Sequence, residues 1–234
     1  MKYFSFIIFV FATLLFSQLS AYADEQAILY LSPQLTPIVG KNMNVNVLIK
    51  DIPLVYGVGF QLNIDSEYLE VVDVDNNEAG IQIQAGDFFS TYAYFFNNNA
   101  SSDGIISYAM TQLNPSESVQ GSGIVARITF KCKKAGLTTL RLTKGQFGTR
   151  DGSIIIPDIE SEKTIQIRHK NGDFNGDSLI DITDSIISFQ VLTSFNNFNL
   201  PQGTNISDFD INLDGKIGME EVIYSLRALS GLLQ

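Results

Sequence analysis

The stretch YGVGFQLNID, residues 56–65, places Val58, Phe60, Leu62 and Ile64 on one side of an extended chain and Gly57, Gly59, Gln61 and Asn63 on the other. A period of two is the signature of a strand with one wet and one buried face. NVNVLI (44–49) repeats the pattern with Val45, Val47 and Ile49. So do GIISYAM (104–110), GIVARITFKC (123–132), TTLRL (138–142) and KTIQIR (163–168). Turns rich in Gly, Asn and Asp separate these runs, and no ten-residue stretch between Ala27 and Ile167 carries a helical stripe. Eight or nine short strands in about 140 residues predict an antiparallel β-sandwich.

The period then changes. Ile182, Ile186, Ile187, Phe189, Val191 and Leu192 recur at spacings of three and four, as do Val222, Ile223, Leu226 and Leu229. These predict two short amphipathic helices packed face to face, neither long enough to be stable alone. TSFNNFNLPQGTNIS (193–207) reads as the connector between them. The chain is therefore mainly β, with a small all-α module after it. Its parts are an N-terminal segment, 1–23, a sandwich over 24–168, and a module over 169–234.

The N-terminal segment has a basic start at Lys2, an apolar run from Tyr3 to Phe16 and small residues at Ala21 and Ala23. That is the layout of a secretory signal peptide cleaved after Ala23, and it predicts a protein exported to the extracellular space or cell surface with no membrane span after cleavage. Cys132, the only cysteine, lies on the apolar side of ARITFKCKK (126–134) and reads as a small buried hydrophobe. The net charge of −10 argues against nucleic acid as a partner. From Asp24 to His169 there are 16 acidic and 11 basic side chains; from Lys170 onward there are 9 and 3. Charge gathered so closely calls for a cation.

Two acidic clusters supply the reason. DINLDGKIGMEE (210–221) sets Asp210, Asn212, Asp214 and Glu221 at the first, third, fifth and twelfth positions of a calcium loop, with Gly215 at the sixth and the Lys216 carbonyl at the seventh. DFNGDSLIDITD (173–184) offers Asp173, Asn175, Asp177, the Leu179 carbonyl, Asp181 and Asp184. Calcium takes six to eight hard oxygens, and this spacing curls them around one point. Two Ca²⁺ ions are expected. Ser178 stands where the first loop wants glycine, at a cost of about 1 kcal/mol, so that loop is expected to be the weaker. Ile217, at the eighth position, is expected to join the loops by a short β contact. IRHKNG and LPQGTNIS, which precede the loops, are too broken by Gly and Pro for an entering helix, and without one the opening movement of a calcium sensor has no lever. The ion reads as a structural clasp.

The tandem loop–helix pairs resemble a dockerin module. The β region resembles a cohesin domain in VYGVGFQLNIDSEYLEVVDV (55–74), GIISYAMTQLNPSESVQGSGIVARITFKCKKAG (104–136) and LTTLRL (137–142). The resemblance implies a jelly-roll sandwich without catalytic activity and a secreted scaffold or adaptor in a polysaccharide-related assembly, with dockerin- or cohesin-bearing extracellular proteins as partners. Carried onto this chain, the dockerin recognition positions are Ile182, Thr183, Met219 and Glu220. They depart from the Ser-Thr pair of the best-known dockerins and differ between the two repeats. Self-association and polysaccharide are further candidate interactions. A calcium-containing carbohydrate-binding sandwich is the alternative, resting on Phe88, Phe89, Tyr92, Tyr94, Phe95 and Phe96; Tyr92, Tyr94 and Phe96 share one face of that run, and Phe89 and Phe95 the other. Catalysis is not expected. His169 is the sole histidine, and the carboxylates Glu67, Glu70 and Asp87 fall at strand ends and turns.

Overall fold

The structure, a computed structural model, describes residues 26–33, 36–193 and 206–232. The signal segment 1–23 and most of the connector lie outside them.

Two six-stranded sheets face each other. The first is built from β1 (Ile28–Pro33), β2 (Asn42–Val55), β4 (Leu69–Val71), β5 (Gln84–Ala85), β8 (Val119–Cys132) and β11 (Asp158–Ile159), in the order β11-β1-β2-β8-β4, with β5 also on β8. The second holds β3 (Gly57–Asn63), β6 (Ala93–Ala100), β7 (Ile105–Gln112), β9 (Gly136–Gly148), β10 (Ile154–Ile155) and β12 (Glu162–Ile167), in the order β10-β9-β3-β7-β6, with β12 also on β9. The count exceeds the eight or nine expected because β5, β10 and β11 have two residues each, too few to leave a period in sequence. The sandwich is also not wholly antiparallel, since β1 runs parallel to β11.

The alternation read from sequence becomes one core. Val58, Phe60 and Leu62 of β3 meet Val45, Val47 and Ile49 of β2 and Ala126, Ile128, Phe130 and Cys132 of β8 in a single apolar cluster. Late in β2 the buried positions change spacing, from Val47 and Ile49 to Ile52 and Val55. Register shifts against β8, with Asp51 in a left-handed conformation (φ 54°), absorb the extra residues and keep the apolar side chains inward.

A second, smaller core follows the sandwich. Phe174, Ile187 and Phe209 are buried together, with Val191 and Ile217 against them. It is flanked by α1 (Ile182–Leu192) and α2 (Met219–Leu229). Only part of each apolar stripe turns inward: Ile187 and Val222 are buried, and Val191 packs against the small core. Between the helices lie Ser188 and Ser225, whose hydroxyls are 3.5 Å apart, while Ile182, Ile186, Phe189, Ile223, Leu226 and Leu229 are exposed. The rest of the core is Phe174, from the first acidic loop, and Phe209, the residue before the second, their rings stacked at 5.0 Å. Small residues let the helices approach and turn most of their large apolar side chains outward.

The module is seated on one end of the sandwich. Arg168, just beyond β12, bridges in parallel to Ile38, and its guanidinium lies 3.7 Å from Asp208. The His169 ring stands 6.0 Å from that of Phe209.

Candidate functional site

The two acidic loops close on themselves by one hydrogen-bonding scheme. Asp173, at the first position, accepts from the amides of Gly176 and Ser178, both at 2.8 Å. Asp210, its equivalent, accepts from Asp214 at 3.1 Å and Gly215 at 2.7 Å. At the twelfth position Asp184 accepts from Asn175 at 3.1 Å and Asp181 at 2.8 Å. Glu221 likewise accepts from Ile211 at 3.2 Å and Gly218 at 2.6 Å. The third-position amides, Asn175 and Asn212, accept from the fifth residue's N–H, and the carboxylates of Asp177 and Asp214 accept from that of the seventh, Leu179 and Lys216.

Each loop therefore buries two carboxylates: Asp173 and Asp184 in the first, Asp210 and Glu221 in the second. Among the described residues no lysine or arginine forms an ion pair with any of the four. Burial pushes the Asp173 carboxyl above the usual carboxylate range, the amides of Ser178 and Gly176 oppose the shift, and the neighbouring Asp184 adds to it. Uncompensated buried charge costs several kcal/mol per ion. Among the described residues no three carboxylate, imidazole or thiol groups gather at metal-binding distance. The remaining oxygens of each loop come from an asparagine amide, a backbone carbonyl and the exposed carboxylates of Asp177 and Asp214. This donor set is all hard oxygen, and it fits calcium in kind and in its spacing along the chain. Asp181 is the exception among the predicted ligands, because its side chain caps α1 by accepting from Thr183 at 2.7 Å.

Backbone geometry balances the strain between the loops. Ser178 does adopt the left-handed conformation, at φ 74°, where the second loop has Gly215 at 82°. Two residues earlier the roles reverse, with Gly176 at 77° and Leu213 at 61°. Each loop thus holds one non-glycine residue in the strained region, so strain alone does not make the first loop weaker. Among the described residues no β-bridge joins the loops near Ile217, and the isolated bridge is that of Ile38 with Arg168. The first loop is entered from a turn after β12 and the second from the single 3₁₀ turn Ile206–Asp208.

Ile182, Thr183, Met219 and Glu220 are all exposed at the helix starts. Sequence reading missed their continuation. Ile182, Ile186 and Phe189 are matched by Met219, Ile223 and Leu226, each 37 positions later, and all six are exposed. An i, i+4, i+7 spacing lines one helix face. Its periodicity was visible, but nothing in the sequence told this outward strip from an inward one.

A second surface lies on the outer face of the sheet β10-β9-β3-β7-β6. A shallow groove crosses it, floored by Gly57, Gly59, Ala109 and Gly148 with Thr111 and Gln146 among them, and flanked by Phe96 and Ile154. Phe96 and Ile154 are 69% and 64% exposed, enough to act as walls. Tyr92, Tyr94 and Phe95 are exposed beside Phe96, whereas Phe89 is buried against Phe147. Phe95 does lie on the opposite face from Tyr94, paired with Met110 and with its ring 5.8 Å from that of buried Tyr108, though it stays part exposed; the register shift between Phe95 and Asn97 falls at Phe96. The Tyr94 and Phe96 rings are inclined at 81°, so they make no flat sugar platform. The carboxylates of Asp87 and Glu67 lie in exposed ion pairs with Arg127 and Lys134.

The frame of the chain is thus a two-sheet sandwich with a shallow, apolar-walled groove on one outer face. Residues 35–167, more than half of the chain, match the cohesin domain family. The chain belongs to the cohesin family. Its fold is similar to the second type II cohesin module of the cellulosomal adaptor ScaA scaffoldin of Acetivibrio cellulolyticus, at 17% identity and a TM-score of 0.53, over 60% of this chain and 96% of that one. A type II cohesin from Bacteroides cellulosolvens gives 14% identity and a TM-score of 0.51, over 61% and 99%. No curated protein matches the chain. The family match ends at Ile167, and the helical module lies beyond it. Among the described residues no helix is long and apolar enough to cross a membrane.

Proposed function

We propose that the chain is a secreted, non-catalytic adaptor with two docking surfaces. The sandwich docks a calcium-folded helical module on another extracellular protein, as cohesin domains dock dockerins, and the groove between Phe96 and Ile154 receives it. The observation that carries this reading is that glycine- and alanine-floored groove, open on the outer face of a cohesin sandwich. The C-terminal segment is a dockerin-like module. In it Asp173, Asn175, Asp177 and Asp184 with the Leu179 carbonyl would hold one Ca²⁺, and Asp210, Asn212, Asp214 and Glu221 with the Lys216 carbonyl a second. Calcium would supply the positive charge that two buried carboxylates per loop otherwise lack. Ile182, Thr183, Met219 and Glu220 stand at the start of its contact surface. The inclined rings of Tyr94 and Phe96 give the carbohydrate-binding alternative no platform.

The test is binding of the chain from Asp24 onward to a panel of dockerin modules in millimolar calcium. At least one is expected to bind, and Gly148→Glu, which fills the groove floor, is expected to abolish that binding. Binding indifferent to Gly148→Glu would remove the groove from the reading.

A further inference from the structure

We propose that the groove also receives the helical module of a second copy of this chain, so that copies associate head to tail. This rests on the groove reading above and names an occupant for it.

Part of the groove floor is bare beyond what the fold requires. A β-carbon on Gly57 would lie 2.7 Å from the Met110 carbonyl oxygen, so packing demands glycine there. One on Gly148 would meet nothing within 4 Å, and one on Gly59 nothing closer than Gln146 at 3.5 Å. Neither of the latter two has a left-handed backbone. Glycine in a strand that the strand itself does not need marks close approach from outside. The width suits one helix: β10 and β6 are four strand spacings apart, about 19 Å, against a helix diameter of about 10–12 Å.

The same chain carries a matching surface. Ile182, Ile186 and Phe189, and again Met219, Ile223 and Leu226, are apolar anchors at i, i+4 and i+7, all six exposed among the described residues. Acidic Asp181 and Glu220 adjoin the starts of these strips, in a segment with 9 acidic and 3 basic side chains, while Lys144 stands on the sheet face next to the groove. That lysine is opposite in sign to the two carboxylates.

Geometry forbids the intrachain version. The module is seated where β12 ends, with Ile167 opposite Gly136 of β9. The groove lies at the other end of β9, at Gly148. Twelve strand residues separate the two ends, about 40 Å. Surfaces at opposite poles form a heterologous contact, which builds a ring or an open chain instead of a symmetric dimer.

Sedimentation velocity of the chain from Asp24 onward, in millimolar calcium, tests this. The weight-average mass is expected to rise with concentration past two chains. Gly148→Glu blocks the groove, and Ile186→Glu with Ile223→Glu blocks the strips; these positions are on the surface, so the fold should be kept. Each variant alone should weaken association by about tenfold or more. Their mixture should restore two-chain species and nothing larger, because each supplies the surface that the other lacks. A wild-type chain that stays single, variants that still associate, or a silent mixture would each overturn the proposal. If the single wild-type chain still binds a foreign dockerin through Gly148, the groove reading survives; if Gly148→Glu alters neither kind of binding, both fall.

Discussion

The sandwich and the C-terminal module solve the problem of folding with different materials. The sandwich buries thirty apolar residues in one cluster. The module buries Phe174, Ile187 and Phe209 and, beside them, the carboxylates of Asp173, Asp184, Asp210 and Glu221. Apolar burial is self-sufficient, because its driving force is the release of water. Buried like charges are not, and they turn stability into a question of which ions are present. The comparison teaches that one chain can join a domain held by apolar burial to one whose core is shared with buried carboxylates.

Removing calcium should separate the two most strongly. With the ion a thousandfold above its dissociation constant, binding adds about 4 kcal/mol, and in EDTA the module should lose its helices altogether. Hydrogen exchange should then quicken across α1 and α2 and stay slow in β2, β8 and β9. Cys132 gives an independent readout of the sandwich: burial holds its thiol above the ordinary thiol range, so at neutral pH it stays protonated and shielded. Its reaction with iodoacetamide should be as slow in EDTA as in calcium. Helices that persist in EDTA would break the comparison.

The converse experiment is Phe130→Ala. This ring is fully buried between the sheets, and its loss should destabilise the sandwich by about 3–5 kcal/mol, read as a lower unfolding midpoint. The calcium dependence of helix content should be unchanged. Next in size comes Glu221→Gln, which keeps the shape but removes a charge and weakens the acceptor of the Ile211 and Gly218 amides. A loss of about 1–3 kcal/mol in module stability is expected, with calcium affinity falling in isothermal titration. The smallest effects belong to the strained positions. Leu213→Gly and Ser178→Gly should each relieve up to about 1 kcal/mol, and by similar amounts. A much larger gain at Ser178 would mark the first loop as the weaker one.

Much of this was legible because it is local. Alternation at Val58, Phe60 and Leu62 fixes which face of a strand is dry, and the spacing of Asp210, Asn212, Asp214 and Glu221 fixes a loop, since both depend on neighbours a few residues away. The strain of the second loop was not legible, because Leu213 shows it only in its backbone angle. The helical stripes were assigned wholly inward because periodicity reports that a helix has an apolar face, not where that face points.

The sequence by itself therefore determined the sandwich, the place where period two gives way to helix, and the oxygen-bearing residues of two loops. Tertiary structure decided the strand order, the burial of Phe174 and Phe209, and the outward turn of Ile186 and Ile223. It also decided that Gly59 and Gly148 meet Ala109 on one groove floor between Phe96 and Ile154. These are contacts between residues distant in the chain, set by which surfaces pack best against each other, and no spacing along the chain encodes them.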